Sequence, residues 1–325
     1  MLINSIILIA AIVAIVKSAD WFLGAAEKVG VSLRLPPFIL GVILVGFGTS
    51  LPELATSMAA VVDGVDTVTI ANVAGSNIAN ILVIIGISTI ALGTVKFDKN
   101  LIDLDVPLII GVTALFSILI VDGGLSRGDG ILLLLGFIGY VMYSLGYKED
   151  KEHHRGLISL VASLTKSQPR KVEQHKNLIG PFTILILIGS IGILGFASKF
   201  AVDAALEIVE ELDIAVEVVS FFALAIGTSL SELVVSLKAL RKGQGDLVVG
   251  NVVGSSMFNI LLVAGLASVL KPQVIEMGLV PWTIVGLALA VLLLMAGSIS
   301  KRIHLWEGMI YMLIYVALGM KIISV

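Results

Sequence analysis

Apolar stretches long enough to cross about 30 Å of hydrocarbon recur along the chain at roughly 3–28, 36–62, 67–92, 104–122, 128–147, 179–211, 216–242, 246–270, 277–298 and 304–323. The pattern predicts an all-α polytopic membrane protein of ten transmembrane helices, five in each half. A polar segment over 148–178 joins a first unit, 1–147, to a second, 179–325. The first apolar stretch has no basic leader and continues through Lys17 and Trp21, so it reads as a span and not a cleaved signal peptide.

The polar positions inside these stretches are written twice. Gly48-Thr49-Ser50-Leu51-Pro52-Glu53 recurs as Gly227-Thr228-Ser229-Leu230-Ser231-Glu232, and Asn72-Val73-Ala74-Gly75-Ser76 recurs as Asn251-Val252-Val253-Gly254-Ser255. Both recurrences are offset by 179 positions, and residues 48–82 share 16 identities with 227–261 over 35 positions. Chance likeness between apolar helices does not match Glu, Asn, Ser and Gly in register. With five spans per half, the second copy enters the membrane with the opposite orientation, which makes the repeat inverted. Secondary transporters use such repeats to place a substrate between the halves near the midplane.

Composition agrees with the pattern. Hydrophobic residues make up 58% and charged ones 14%, where a soluble domain carries about a quarter charged, and the mean hydropathy is +1.08. The absence of cysteine excludes disulfides, thiolate metal sites and a cysteine nucleophile. His153, His154, His175 and His304 lie in polar connections or at a segment edge, and the adjacent pair reads as solvated loop more readily than as a metal site. The net charge of −3 says little, but the placement of basic residues says more. With the N-terminus outside, sixteen Lys and Arg fall in inside connections and three (Arg127, Lys271, Lys321) outside, leaving Lys17 and Lys199 within spans. The positive-inside rule then puts both termini outside and the central loop in the cytoplasm of a cell-membrane protein. That central segment reads as a flexible linker, with an apolar patch at 157–164 that could lie along the interface.

A glutamate inside a membrane span is costly and is by default functional. Thr49 and Glu53 are four residues apart and share a helical face. Pro52 removes a donor and frees carbonyls around Gly48 and Thr49, which membrane depth tolerates only where they line a cavity or bind something. In the next span Asn72, Ser76 and Asn80 form a polar stripe matched by Asn251, Ser255 and Asn259. Asn72, Asn251, Ser57 and Ser236 read equally well as helix-to-helix glue. Two carboxylates, two threonine carbonyls and neutral side-chain oxygens amount to the six to eight loosely arranged oxygen ligands that suit Ca²⁺. No soft or imidazole ligand accompanies them, which argues against Zn²⁺, Cu²⁺ and Ni²⁺. Two ionised carboxylates in a dry site are unfavourable without a cation, so an empty site should cross between inward and outward states poorly.

Gly-Thr-Ser-x-x-Glu followed by Gly-Ser-x-x-x-Asn, in two copies on a ten-span scaffold, resembles the sodium/calcium exchanger family of the cation/calcium antiporter superfamily, of the prokaryotic type without a large regulatory loop. The resemblance covers essentially the whole chain. It implies that the second, third, seventh and eighth helices surround four ion positions, and that the first and sixth slide past the rest. It implies that Glu53 and Glu232 chelate Ca²⁺ together with the Thr49 and Thr228 carbonyls. The hydroxyls of Ser50, Ser76, Ser229 and Ser255, and the carbonyls of Gly46 and Ala225, would help hold Na⁺, while Asn80 and Asn259 would line the middle of the site. Ca²⁺ and Na⁺ are then substrates, with no cofactor, no nucleic acid and no obligate protein partner beside the lipid bilayer.

The chain departs from the family pattern in places. Ser231 stands where a second Pro is expected, which predicts a less sharply kinked seventh helix, Ser256 replaces an Asn, and Gly46 replaces an alanine-like residue. Asn80 and Asn259 are both neutral, which speaks against K⁺ dependence. Proton-coupled relatives resemble Gly-Asn-Ala-x-Glu instead, so Gly-Thr-Ser favours Na⁺. A Ca²⁺/H⁺ antiporter is the alternative, since a desolvated carboxylate can carry a proton. A cation channel would place carboxylates as rings in a symmetric oligomer, and an intramembrane protease would need its acids to act on a bound water. The internal inverted repeat argues against the first, and the paired Gly-Thr-Ser motifs have no role in the second, so the chain is not read as an enzyme.

Overall fold

The computed structural model describes residues 2–33, 35–98, 105–146, 180–211 and 229–323. The described residues fall into ten helical stretches: α1 (Leu2–Leu33), α2 (Pro37–Val62), α3 (Val68–Leu92), α4 (Asp105–Leu119), α5 (Arg127–Gly146), α6 (Pro181–Glu211), α7 (Leu230–Arg241), α8 (Gly245–Leu270), α9 (Val280–Ile299) and α10 (Leu305–Ile323). Of these, α1, α2, α3, α6, α8, α9 and α10 are long and apolar enough to cross a membrane. α4 is a shorter apolar helix, and α7 is the described part of the predicted 216–242 stretch. The predicted linker lies outside the described residues. α1 runs to Leu33, beyond the predicted 28, because nothing breaks the helix until Pro36 and Pro37 each remove a backbone donor.

Burial ranks the helices. In α3 and α8, 83% of the apolar window is buried, against 22% in α1 and 28% in α6. α1 and α6 pack along each other and turn Ile3, Ile6, Ile9, Phe182, Leu185 and Phe196 outward, as lipid-facing side chains should be. At one end α1 is tied to α7 by the ion pairs Asp20–Lys238 and Glu27–Lys242.

α2 and α8 approach backbone to backbone. A methyl group on Gly250 would lie 2.4 Å from the Phe38 carbonyl oxygen, one on Gly254 2.4 Å from that of Val42, and one on Gly41 2.5 Å from that of Leu247. Small residues of this kind let membrane helices pack closely. Gly46 belongs to the same seam, and a Cβ there would meet the Ser255 nitrogen at 2.8 Å. The glycine in place of an alanine-like residue thus has a packing reason.

Two short antiparallel ribbons stitch early residues to late ones. β1 (Val95–Lys96) pairs with β4 (Arg302–Ile303), matching Val95 with Ile303, and β2 (Gly124–Leu125) pairs with β3 (Gln273–Val274), matching Gly124 with Val274. Adding 179 to 95 gives 274, and subtracting 179 from 303 gives 124, so the offset of the sequence repeat carries one ribbon onto the other.

Candidate functional site

Both glutamates sit in the first turn of a helix. The chain leaves helical geometry at Ser50 (φ −87°, ψ 5°) and resumes it at Leu51, and Ser229 (φ −94°, ψ 13°) holds nearly the same conformation ahead of Leu230. Unpaired N–H groups at such a start favour negative charge nearby. Pro52 occupies the second position of the first helix and Ser231 that of the second, yet Ser50 and Ser229 take nearly the same backbone conformation. The kink that Ser231 is expected to relax involves residues before Ser229, which lie outside the described residues. A further departure was not legible in the sequence. α2 is wound as a π-helix over Leu40–Gly46, α3 over Asn80–Ile84 and α8 over Asn259–Ala264. The last two begin at matched asparagines 179 apart, and wide turns of this kind concentrate at functional sites.

The structure brings several of the predicted residues together. Glu53 and Glu232 are fully buried and close enough for their charges to interact. Ser50 Oγ donates to Glu232 Oε1 at 3.2 Å, across the two halves. Ser255 Oγ donates to the Gly46 carbonyl at 3.1 Å, and Thr49 Oγ1 lies 3.0 Å from the Val45 carbonyl and 3.3 Å from Asn251 Oδ1. Ser76 is buried between Asn72 and Asn80 on α3. Thr228 and Ala225 lie outside the described residues.

The outer members of the polar stripe behave as glue. Asn72 Nδ2 donates to Ser57 Oγ at 3.1 Å and Asn251 Nδ2 to Ser236 Oγ at 2.9 Å. The same bond is made twice, 179 residues apart, and it fixes α3 to α2 and α8 to α7. Two contacts were missed from the sequence. Asn77 Nδ2 donates to the Ser256 carbonyl at 3.2 Å, and Ser231 Oγ lies 2.8 Å from Glu232 Oε2 and 3.4 Å from the Thr49 carbonyl. The signal for both was the mismatch between the copies, Asn77 against Ser256 and Pro52 against Ser231.

The unpaired groups carry the chemistry. Both oxygens of Glu53, both amide atoms of Asn80 and Asn259, and the hydroxyls of Ser229 and Ser256 are buried with no hydrogen-bond partner among the described residues. Leaving one such group unsatisfied costs about 1–3 kcal/mol, more if it is charged, so such groups mark candidate places for a ligand. The segments that carry them pack together, Leu51–Val62 on Asn259–Ala264 and Leu230–Arg241 on Asn80–Ile84. The ion pairs among the described residues reach neither glutamate, and no group of three His, Cys, Asp or Glu gathers there. Two carboxylates completed by neutral oxygens form a donor set for a hard cation.

The sequence and the fold have known counterparts. The family model described as sodium/calcium exchanger protein matches residues 3–146 and 182–320. The chain is 32% identical to the sodium/calcium exchanger MaX1 of Methanosarcina acetivorans, over 97% of both chains. It is 32% identical to the inner membrane protein YrbG of Escherichia coli, over 85% of this chain and 82% of that one. A solved structure of the sodium-calcium exchanger NCX_Mj, soaked with zero Na⁺ and Ca²⁺, superposes with a TM-score of 0.75 at 27% identity, covering 100% of this chain and 99% of the other.

Proposed function

The chain belongs to the sodium/calcium exchanger family, a membrane family of cation/calcium antiporters, and on that premise we propose that it exchanges Na⁺ for Ca²⁺ by alternating access around one midplane site. The observation that carries this reading is the pair of fully buried carboxylates, Glu53 and Glu232, with Ser50 of the first copy bonded to Glu232 of the second and both Glu53 oxygens left without a hydrogen-bond partner among the described residues. Ca²⁺ would take both carboxylates with the Thr49 and Thr228 carbonyls. Na⁺ would use the hydroxyls of Ser50, Ser76, Ser229 and Ser255 and the carbonyls of Gly46 and Ala225, with Asn80 and Asn259 at the middle. The two glutamates repel each other when no cation lies between them. Reorientation of the empty, doubly charged site is then disfavoured, which couples the two fluxes.

Radiolabelled Ca²⁺ uptake into proteoliposomes tests the reading. Uptake should follow an imposed Na⁺ gradient and ignore a pH gradient imposed alone. Uptake driven by the pH gradient alone would make the chain a Ca²⁺/H⁺ antiporter instead. Because Asn80 and Asn259 add no third carboxylate, exchange should run equally well with choline or K⁺ as background cation. A strict need for K⁺ would show that the site's charge has been miscounted.

The arrangement supported by the 179-residue offset is two five-helix units, 1–147 and 179–325, of opposite orientation, joined by a cytoplasmic linker over 148–178. Both termini would then lie outside the cell membrane. Single cysteines at Asp63 or Asp213 should react with an impermeant thiol reagent applied to intact cells, whereas one at Ser167 should not. Labelling at Ser167 from outside would overturn the orientation and the inverted repeat together.

A further inference from the structure

We propose that Ser231 is a positioning residue that holds Glu232 ready for the divalent cation, so that the two site carboxylates are unequal, with Glu232 preset and Glu53 adaptable. The proposal rests on the Na⁺/Ca²⁺ exchange reading above and deepens it.

The asymmetry begins in the sequence, where the second copy of the motif has a hydroxyl at the place of Pro52. Ser231 is fully buried, and its Oγ lies 2.8 Å from Glu232 Oε2. One hydroxyl has one proton, so this contact takes it in preference to the Thr49 carbonyl at 3.4 Å. Ser50 holds the other carboxylate oxygen at 3.2 Å. Both oxygens of Glu232 are thus tied, one to each half of the molecule. Each keeps a further lone-pair direction for a cation.

Among the described residues Glu53 has no such support. Its neighbour Pro52 has no hydroxyl, the hydroxyl of Ser229 (the counterpart of Ser50) is unpaired, and neither Glu53 oxygen has a partner among the described residues. An arriving cation must therefore orient Glu53 but finds Glu232 already aimed. Outer groups that fix a ligand's orientation are worth tenfold or more in metal affinity, because they reduce the ordering that binding must impose. Ser231 does not set the backbone ahead of the helix, since Ser50 and Ser229 take nearly the same conformation whether Pro or Ser lies two residues on.

The test is Na⁺-gradient-driven Ca²⁺ uptake in proteoliposomes, read as half-saturating Ca²⁺ and maximal rate separately. Ser231→Ala should raise the half-saturating concentration by about tenfold and leave the maximal rate within about twofold. Ser231→Thr should restore the parent value. Ser231→Cys keeps the size but replaces a strong donor with a weak one; it should follow Ala, and it decides the matter if the Ala variant does not fold. Parent-like half-saturation in both Ala and Cys, with Glu232→Gln inactive, would overturn the positioning role while leaving the exchange reading intact. A lower maximal rate at unchanged half-saturation would also overturn it, by showing a purely structural role. If the parent protein shows no Na⁺-driven uptake, the exchange reading fails first and the proposal with it.

Discussion

Glu53→Gln and Glu232→Gln should each abolish Ca²⁺ exchange in proteoliposomes, lowering it by at least about a hundredfold. Each substitution keeps the size of the side chain and removes one of two negative charges. A single carboxylate leaves a divalent cation with uncompensated charge in a site that water does not reach, and such an imbalance costs several kcal/mol. Folding should survive, because neither glutamate is neutralised by a basic side chain among the described residues and loss of one charge relieves their mutual repulsion. Melting of the detergent-solubilised variants should therefore be no lower than that of the parent. Near-normal exchange in either variant would sink the paired-carboxylate site, whatever the family.

The same measurement separates ligands from glue. Asn72→Ala removes the bond to Ser57 and leaves that hydroxyl without its partner, a loss of about 1 kcal/mol. Such a change should reduce exchange by a few-fold and not eliminate it. The duplicate bond between Asn251 and Ser236 sits beside the contact of Asn251 with Thr49, just as Asn72 also reaches the Glu53 carbonyl at 3.4 Å, so Asn251→Ala should cost about as much as Asn72→Ala.

The polar layer of the site was legible because lipid makes polar residues conspicuous. Glu53, Asn80, Ser76 and their partners 179 positions on stand out against Val, Ile and Leu, and the structure buries every one of them. Other features left no such mark. The turns at Asn80–Ile84 and Asn259–Ala264 are widened within stretches whose composition reads as ordinary helix. The ribbons involve two residues per strand, too few for an alternating pattern to show. The non-helical conformation of Ser229 was obscured by attributing that of Ser50 to Pro52, when both serines adopt it. The division between glue and ligand depended on partners: Asn72 and Asn80 are the same residue type on the same stripe, and only the first finds a hydroxyl to bond.

The contact of α2 with α8 decides whether the site exists. Gly254→Val would place a Cβ 2.4 Å from the Val42 carbonyl oxygen and 2.6 Å from its Cα, and both neighbours are backbone, which cannot swing away. The helices would have to separate, and overpacking of this kind costs about 1–3 kcal/mol or more. Separation acts directly on the ligands, because Ser255 follows Gly254 and its hydroxyl holds the Gly46 carbonyl at 3.1 Å. Gly254→Val should therefore lower the melting temperature and remove exchange together. Gly111→Ala, at an exposed position of α4 with nothing within 4 Å among the described residues, should do neither. If the Gly254 variant melted like the parent and still carried Ca²⁺, the close seam between α2 and α8 would not be what sets the spacing of the site.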